Sequence, residues 1–253
     1  LGFNYHEQYL EPFLRNFPGR KLIVSESTSA LMTRGYYEMP SDHIYIRPES
    51  WDKPFEAPEH VCSSYDNCHV PWGSTHEKTW HLVKTLPHVS GLFVWTGFDY
   101  LGEPTPYWWP SRSSFFGIVD LAGFPKDVYY MYKSEWTDEP VLHIFPHWNW
   151  KEGEPVDIWA YYNNADEVEL YLNGKSLGVR QKTDSTYHVS WRVPFTPGTL
   201  RAVSRLGGKE VLVKEIHTAG EPARLVLTPD RSVIQADGSD LSFVTVDVCD
   251  IDG

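Results

Sequence analysis

Positive charge is in short supply in this sequence. Lys and Arg number 22 against 34 Asp and Glu, which leaves a formal net charge of -12 at pH 7. Nucleic-acid binders draw most of their affinity from a basic surface, and anionic membranes ask for the same. Neither is an expected partner. Cysteine is also sparse, with three residues, too few for a disulfide framework. Cys62 and Cys68 are close enough in sequence to bridge within one loop, but free thiols are the preferred reading. No Cys-x-x-Cys pair marks a zinc site, and the histidines read as surface and loop residues, so no metal and no cofactor is expected. No stretch approaches the ~20 apolar residues of a membrane span, so no membrane insertion is expected. No Gly-rich phosphate loop follows any apolar run, which argues against a doubly wound nucleotide-binding sheet. An initiator Met and a signal peptide are missing as well. The chain opens on "LGFNY", a strand already under way, and closes on "VTVDVCDIDG". The expectation is a piece of a longer polypeptide, whose missing N-terminal portion is then a partner.

Aromatic residues are abundant, with 11 Trp and 15 Tyr in 253 residues. Most are expected in cores. A few suit sugar binding, because flat apolar faces with a polar edge stack on pyranose rings.

Residues 1–138 alternate strand and helix signals. "LGFNY" is short and apolar. "HEQYLEPFLRNFP" spaces Leu10, Phe13, Leu14 and Phe17 for a helix, stopped by Pro18-Gly19. "KLIVSE" is a strand, followed by a long irregular segment from 27 to 73. "STHEKTWHLVKTLPHV" reads as a helix with Ser74 as N-cap and Glu77 completing a capping box. "GLFVWTG" is a buried strand, followed by a second irregular stretch, and "KDVYYMYKSEW" is a helix. The long loops all follow strands. That asymmetry fits the last strands of a (β/α)8 TIM barrel, whose site lies at the C-terminal strand ends.

The pattern changes near residue 140. Short alternating runs separated by turn signals predict an immunoglobulin-like β-sandwich over 139–220. Asn173-Gly174 and Gly207-Gly208 are read as hairpin turns. Trp148, Trp150, Trp159 and Trp191 are assigned to core or domain contacts. Residues 221–253 read as the start of a further sandwich domain. The expected fold is therefore multidomain, α/β followed by all-β.

The chemistry centres on "KLIVSESTSA". Glu26 sits where an apolar strand ends, on the side where the long loops gather. It reads either as a turn carboxylate or as a nucleophile at a barrel mouth. Tyr5 with Asn4, and Trp95 before Thr96-Gly97, hold equivalent places on the neighbouring strands. A carboxylate beneath an anomeric carbon, a phenol to hold it and an indole floor suit glycoside chemistry. Asp99 and Glu103 are candidates for binding sugar hydroxyls, or else turn residues. Trp72, Trp108 and Trp109 lie in the long loops and either line the leaving-group side or pack the loops. Lys126 is read as complementing the charge of the following helix rather than reaching a sugar.

"IVSEST" together with "GLFVWTGFDYLGEPTPYWWPSRSSFFGIVDLAGFPKDVYYMYKSEW" resembles the end of the catalytic barrel of glycoside hydrolase family 2, the β-galactosidase-type enzymes of Bacteroidetes in particular. "ADEVELYLNGKSLG" resembles the sandwich domain that follows the barrel, and "ARLVLTPDRSVIQADGSDLSFVTVDVCDIDG" the start of the next. The resemblance spans essentially the whole chain. It implies Glu26 as catalytic nucleophile, Tyr5 as the tyrosine that orients it, and Trp95 as a substrate-facing residue, with Asn4, Asp99, Glu103 and Trp72 as further substrate-binding candidates. The family's general acid/base is a glutamate after an asparagine, and no Asn-Glu pair occurs here. The implied function is a retaining hydrolase of terminal β-glycosides, β-galactosides first among them, with an oligosaccharide or glycoside substrate. β-Glucuronidase and β-mannosidase are the alternatives within the class. The glucuronidase branch carries an Asn-x-Lys motif for the sugar carboxylate, and none is read here as that motif, which sets β-glucuronide behind β-galactoside. Outside the class, the rival is a non-catalytic carbohydrate-binding or scaffold piece, which a row of exposed aromatics on a sandwich face would favour. The family also implies a periplasmic or secreted location, and homo-oligomer formation is left open.

Overall fold

The computed structural model describes residues 1–50, 52–53, 55–57 and 59–253. The chain begins with strand β1 (Gly2–Asn4), a single 3-10 turn and helix α1 (Leu10–Asn16). Strand β2 (Leu22–Thr28) follows, then short strands β3 (Tyr45–Ile46) and β4 (Cys68–His69), helix α2 (His76–Thr85) and strand β5 (Val89–Trp95). β1, β2 and β5 form a parallel sheet in the order β1-β2-β5. Parallel pairing requires a crossover between strands, and α1 and α2 supply it. Leu10 and Phe13 of α1 and Val83 of α2 pack on Leu22, Val24 and Val89. The alternate residues of the sheet face the other way, and that face is open: Ser25 is exposed and Phe93 is 63% exposed.

The two long segments after β2 and β5 meet over the C-terminal ends of these strands. Leu31 N–H donates to the Cys68 carbonyl and Met32 N–H to that of Phe115. Helix α3 (Asp127–Trp136) leads into the second unit.

That unit is a seven-stranded antiparallel β-sandwich. Its strands are β6 (Leu142–Phe145), β7 (Pro155–Tyr162), β8 (Glu167–Leu172), β9 (Lys175–Arg180), β10 (His188–Pro194), β11 (Thr199–Leu206) and β12 (Lys209–His217). One sheet has the order β10-β7-β6 and the other β12-β11-β8-β9. Strand alternation sends Ile158, Leu170, Trp191 and Leu200 into one core between them, and Trp148 joins it from the segment between β6 and β7. Asn173 and Gly174 both have positive φ, 51° and 78°. That is the geometry a two-residue hairpin of matching twist demands, and it joins β8 to β9. Gly207-Gly208 does the same between β11 and β12. Strands β13 (Arg224–Pro229) and β14 (Val244–Cys249) pair antiparallel as a separate two-stranded sheet.

The start of α2 differs from expectation. The N-cap is Thr75, whose hydroxyl accepts from Lys78 N at 3.4 Å, and not Ser74. The stronger cap comes from outside the helix. Asp66 takes His76 N–H on one carboxylate oxygen and Glu77 N–H on the other, both at 2.8 Å. Burial first, and the Glu77 carboxylate second, push the Asp66 carboxyl up to about 7. No helix among the described residues is long and apolar enough to cross a membrane.

Candidate active site

β1, β2 and β5 bring three side chains to one edge. In the parallel register Asn4 stands opposite Glu26 and Thr28 opposite Trp95. The β1–β2 register slips by one residue between Phe3 and Asn4, so that Phe3 pairs with Val24 and Asn4 with Glu26. Strand bulges of this kind re-aim side chains. Tyr5 N–H donates to the Glu26 carbonyl at 2.8 Å, which ties the two strand ends together.

The chain leaves both strands through left-handed backbone. Tyr5 and His6 have φ of 52°, and Thr28 and Ser29 have φ of 67° and 53°. For a β-branched residue such as Thr28 this is a strained region, and such strain gathers at functional sites. It is held in place by bonds. The Thr28 carbonyl accepts Ser74 N–H at 2.7 Å, and Ser29 N–H donates to the Trp95 carbonyl at 3.2 Å.

Tyr5 Oη lies 2.7 Å from Ser29 Oγ. Burial raises the phenol well above its usual range. The bonds from Ser29 and Trp72 oppose this, and the neighbouring Glu26 carboxylate adds to it. Tyr5 therefore keeps its proton, and a protonated phenol is a donor to a carboxylate. Glu26 is half-buried, as are Tyr5, Trp72 and Trp95. The Trp95 ring meets Tyr100 edge-on at 5.9 Å, and the Trp95–Thr96 peptide is cis. Asn4 is exposed, and its amide oxygen accepts from Ser25 Oγ at 2.8 Å.

A cleft of about 550 Å³ opens beside this edge, with Tyr5, Glu7, Glu11, Trp72 and Lys78 among its walls. Glu26 is not one of its lining residues; it reaches the cleft only through Tyr5. A second pocket of about 330 Å³ lies on the other side of Trp72.

Asp99 and Lys126 stand otherwise than expected. The Asp99 carboxylate is 2.7 Å from Lys126 Nζ, accepts Gly117 N–H at 2.8 Å and accepts from Ser114 Oγ at 3.2 Å. Its side chain is 9% exposed and that of Lys126 is 1% exposed. Lys126 also donates to the Met32 and Phe115 carbonyls. Lys126 is itself the N-cap residue of α3, where a cation opposes the positive end of the helix dipole rather than complementing it, and a carboxylate as fully engaged as that of Asp99 is a strut between loops. Gly117 is part of the same joint, since a Cβ there would lie 2.1 Å from Asp99 N. Glu103 is exposed and accepts the Tyr100 hydroxyl.

Asn-x-Lys triplets do occur beyond residue 138, at 149–151 and 173–175. Both belong to the sandwich. Asn149 accepts Ala219 N–H, and Asn173 sits in the β8–β9 turn, bonded to Thr199 N–H and the Pro197 carbonyl. His143 and His147 stand four apart, but His143 lies on a strand and bonds Asp127 at 2.8 Å. Among the described residues no group of three or more His, Cys, Asp or Glu is placed to hold a metal ion. Cys62 and Cys68 are buried free thiols. Trp148, Trp159 and Trp191 are buried, so they form no exposed aromatic row on the sandwich.

Ser29 and the Thr28 backbone escape sequence reasoning. A Ser-Thr-Ser run after a strand carries no mark of left-handed φ, which glycine or asparagine would normally announce.

Comparison with known proteins bears on the whole chain. A domain family described as "Domain of unknown function (DUF4982)" matches residues 153–212, within the sandwich. The chain is 60% identical over all 253 residues to "Beta-galactosidase BoGH2A" of Bacteroides ovatus, of which it spans 30% of the length. It is 36% identical to a "Putative beta-glucuronidase" of Formosa agariphila, with 92% of this chain and 25% of that protein covered. The solved structure of a β-glycosidase from Bacteroides vulgatus matches all of this chain and 35% of that one, at 32% identity and a TM-score of 0.86. The chain thus spans about a quarter to a third of the length of the relatives it matches, and it belongs to glycoside hydrolase family 2.

Proposed function

We propose that this chain supplies the nucleophile side of a retaining β-glycosidase site, acting on terminal β-galactosides. The observation that carries this is the meeting of Glu26, Tyr5 and Trp95 at three adjacent ends of a parallel sheet. The likeness to a β-galactosidase over every residue supports the choice of sugar.

In this reading Glu26 attacks the anomeric carbon. A second carboxyl group, about 5 Å away in retaining enzymes, protonates the departing oxygen and then activates water to release the sugar. That second group comes from elsewhere in the polypeptide, since no Asn-Glu pair is present here. Tyr5 donates its hydroxyl to Glu26 and fixes its orientation. Trp95 forms the floor of the sugar site, and Asn4 faces the hydroxyls.

The barrel reading rests on the one-sided burial of the sheet. Helices cover one face of β1-β2-β5 and leave the other open. A doubly wound sheet carries helices on both faces, whereas a barrel turns its inner face to its own strands. Residues 1–138 are accordingly the last strands of a (β/α)8 barrel. Residues 139–220 are an immunoglobulin-like domain, in keeping with a split of three and four strands between its sheets. Residues 221–253 open a further sandwich. The working location is the periplasm or the cell exterior.

Incubation of the full polypeptide with 2-deoxy-2-fluoro-β-galactosyl fluoride tests this. The expected result is one galactosyl adduct, mapped by peptide mass spectrometry to Glu26. An adduct on another carboxylate overturns the role of Glu26. An adduct that forms with a different 2-fluoroglycosyl fluoride, and not with this one, overturns the galactoside.

A further inference from the structure

Among the described residues Trp108 and Trp109 are the most exposed tryptophans near the site, at 67% and 74%. Single exposed apolar residues are ordinary, whereas contiguous ones mark binding surfaces and ligand grooves. These two are held firmly. The excursion from β5 that carries them closes on itself through Gly102 N–H to the Arg112 carbonyl at 2.6 Å and Ser111 N–H to the Trp108 carbonyl at 2.9 Å. Tyr107 beneath them is buried, packs on Phe55 and Phe115, and bonds the Val61 carbonyl. The Arg112 guanidinium stacks on one face of Trp109 at 4.5 Å.

The two rings line the 330 Å³ pocket together with Trp72 and Lys53. That volume lies at the lower end of small-molecule sites, ~300–1,000 Å³. Trp72 joins this pocket to the cleft. It borders this pocket and also the cleft of Tyr5, and it contacts the Tyr5 phenol, which in turn contacts Glu26. The path from nucleophile to pocket is thus Glu26, Tyr5, Trp72, Trp108-Trp109. Three indoles are among its walls, and Lys53 is the one charged residue among the described residues that line it.

Resting on the β-glycosidase reading, we propose that Trp72, Trp108 and Trp109 form a leaving-group subsite. It takes a further neutral pyranose ring, so that the substrate is an oligosaccharide rather than a sugar on a compact aglycone. The indole faces stack on the ring and Lys53 donates to its hydroxyls.

The test compares two substrates in the full polypeptide, a β-galactosyl-terminated trisaccharide and 4-nitrophenyl β-galactoside. The readout is the ratio of their kcat/KM values. Trp108→Ala with Trp109→Ala is expected to lower that ratio about tenfold, as loss of aromatic anchors does in other interfaces. Trp109→Phe keeps a flat ring and is expected to retain most of it. A ratio unchanged in the double variant, or both substrates falling alike, overturns the subsite. If the nitrophenyl galactoside is inert while another nitrophenyl β-glycoside is cleaved, the choice of sugar fails, and the ratio measured in that sugar's series decides the subsite. If none is cleaved, the hydrolase reading fails and the subsite with it.

Discussion

Tyr5 has two acceptors within reach and no path to losing its proton. Its burial and the nearby Glu26 carboxylate both favour the neutral phenol. The hydroxyl can therefore act on Glu26 only as a donor, and a donor aimed at a carboxylate matters most when that group is reacting. Tyr5→Phe removes the hydroxyl and keeps the ring. It is expected to lower kcat by about a hundredfold, the scale for loss of one preorganised donor in a site, with little change in KM. Steady-state kinetics of the full polypeptide on an aryl β-galactoside measures this. A kcat within twofold of the parent would show that Ser29, not Glu26, is the only partner that counts. At this scale Glu26 stands out in the sequence as a candidate because a carboxylate at the lip of an apolar strand is out of place. The sequence concealed Asp99. A turn acid in "GFDY" looks available until Lys126 folds back from another loop and the pair is sealed in. Such a partner is set by the packing of two irregular segments, which no periodicity describes.

Secondary structure elements were legible where their periods were clean. Strands β2 and β5, helices α1 and α3, and the hairpin turns at 173–174 and 207–208 follow from spacing and turn chemistry, although β2 runs on to Thr28, two residues past the expected end at Glu26. The start of α2 does not, because its cap is donated from the preceding loop. Asp66 satisfies two of the orphan N–H groups that every helix N-terminus presents. Asp66→Ala leaves both groups buried and unpaired, at a cost of about 1–3 kcal/mol. Ser74→Ala is expected to stay within about 0.5 kcal/mol. The pH dependence follows from the sign of the shift. The Asp66 carboxyl titrates near 7 in the fold and near ~3.9 in an unfolded chain, so the unfolded state gives up its proton first as pH rises. The stabilising contribution of Asp66 is then full below about pH 4 and declines until about pH 7. Melting temperatures of the parent and Asp66→Ala should therefore lie furthest apart at the acid end and converge toward neutral pH. A gap that widens as pH rises would show that the ionised carboxylate is the better cap.

On the scale of the whole molecule, two apolar surfaces have opposite fates. Between the α/β part and the sandwich, Phe145, Trp159 and Tyr161 pack against Met32, Tyr65, Val128 and Met131. Arg192 and Ser41 N–H converge on Asp157 at the same joint. That surface is buried and the two units are locked. The β13–β14 hairpin is the reverse. Its register sets Leu225 opposite Val248 and Leu227 opposite Val246, so all four side chains share one face, and each is more than half exposed. A two-stranded hairpin is marginal in water, and an open apolar face on it is a site for association. Chains of residues 1–253 should self-associate through this face. Leu227→Thr with Val246→Thr should shift sedimentation toward the monomer without changing the melting of the rest. In the full polypeptide the same pair should instead lower stability by roughly 1–3 kcal/mol, because there the remaining strands of the proposed sandwich cover the face. Sedimentation of the chain and melting of the full polypeptide separate the two roles. Substitutions silent in the longer protein would mean that nothing folds over the hairpin, and residues 221–253 would then be an arm rather than the opening of a domain.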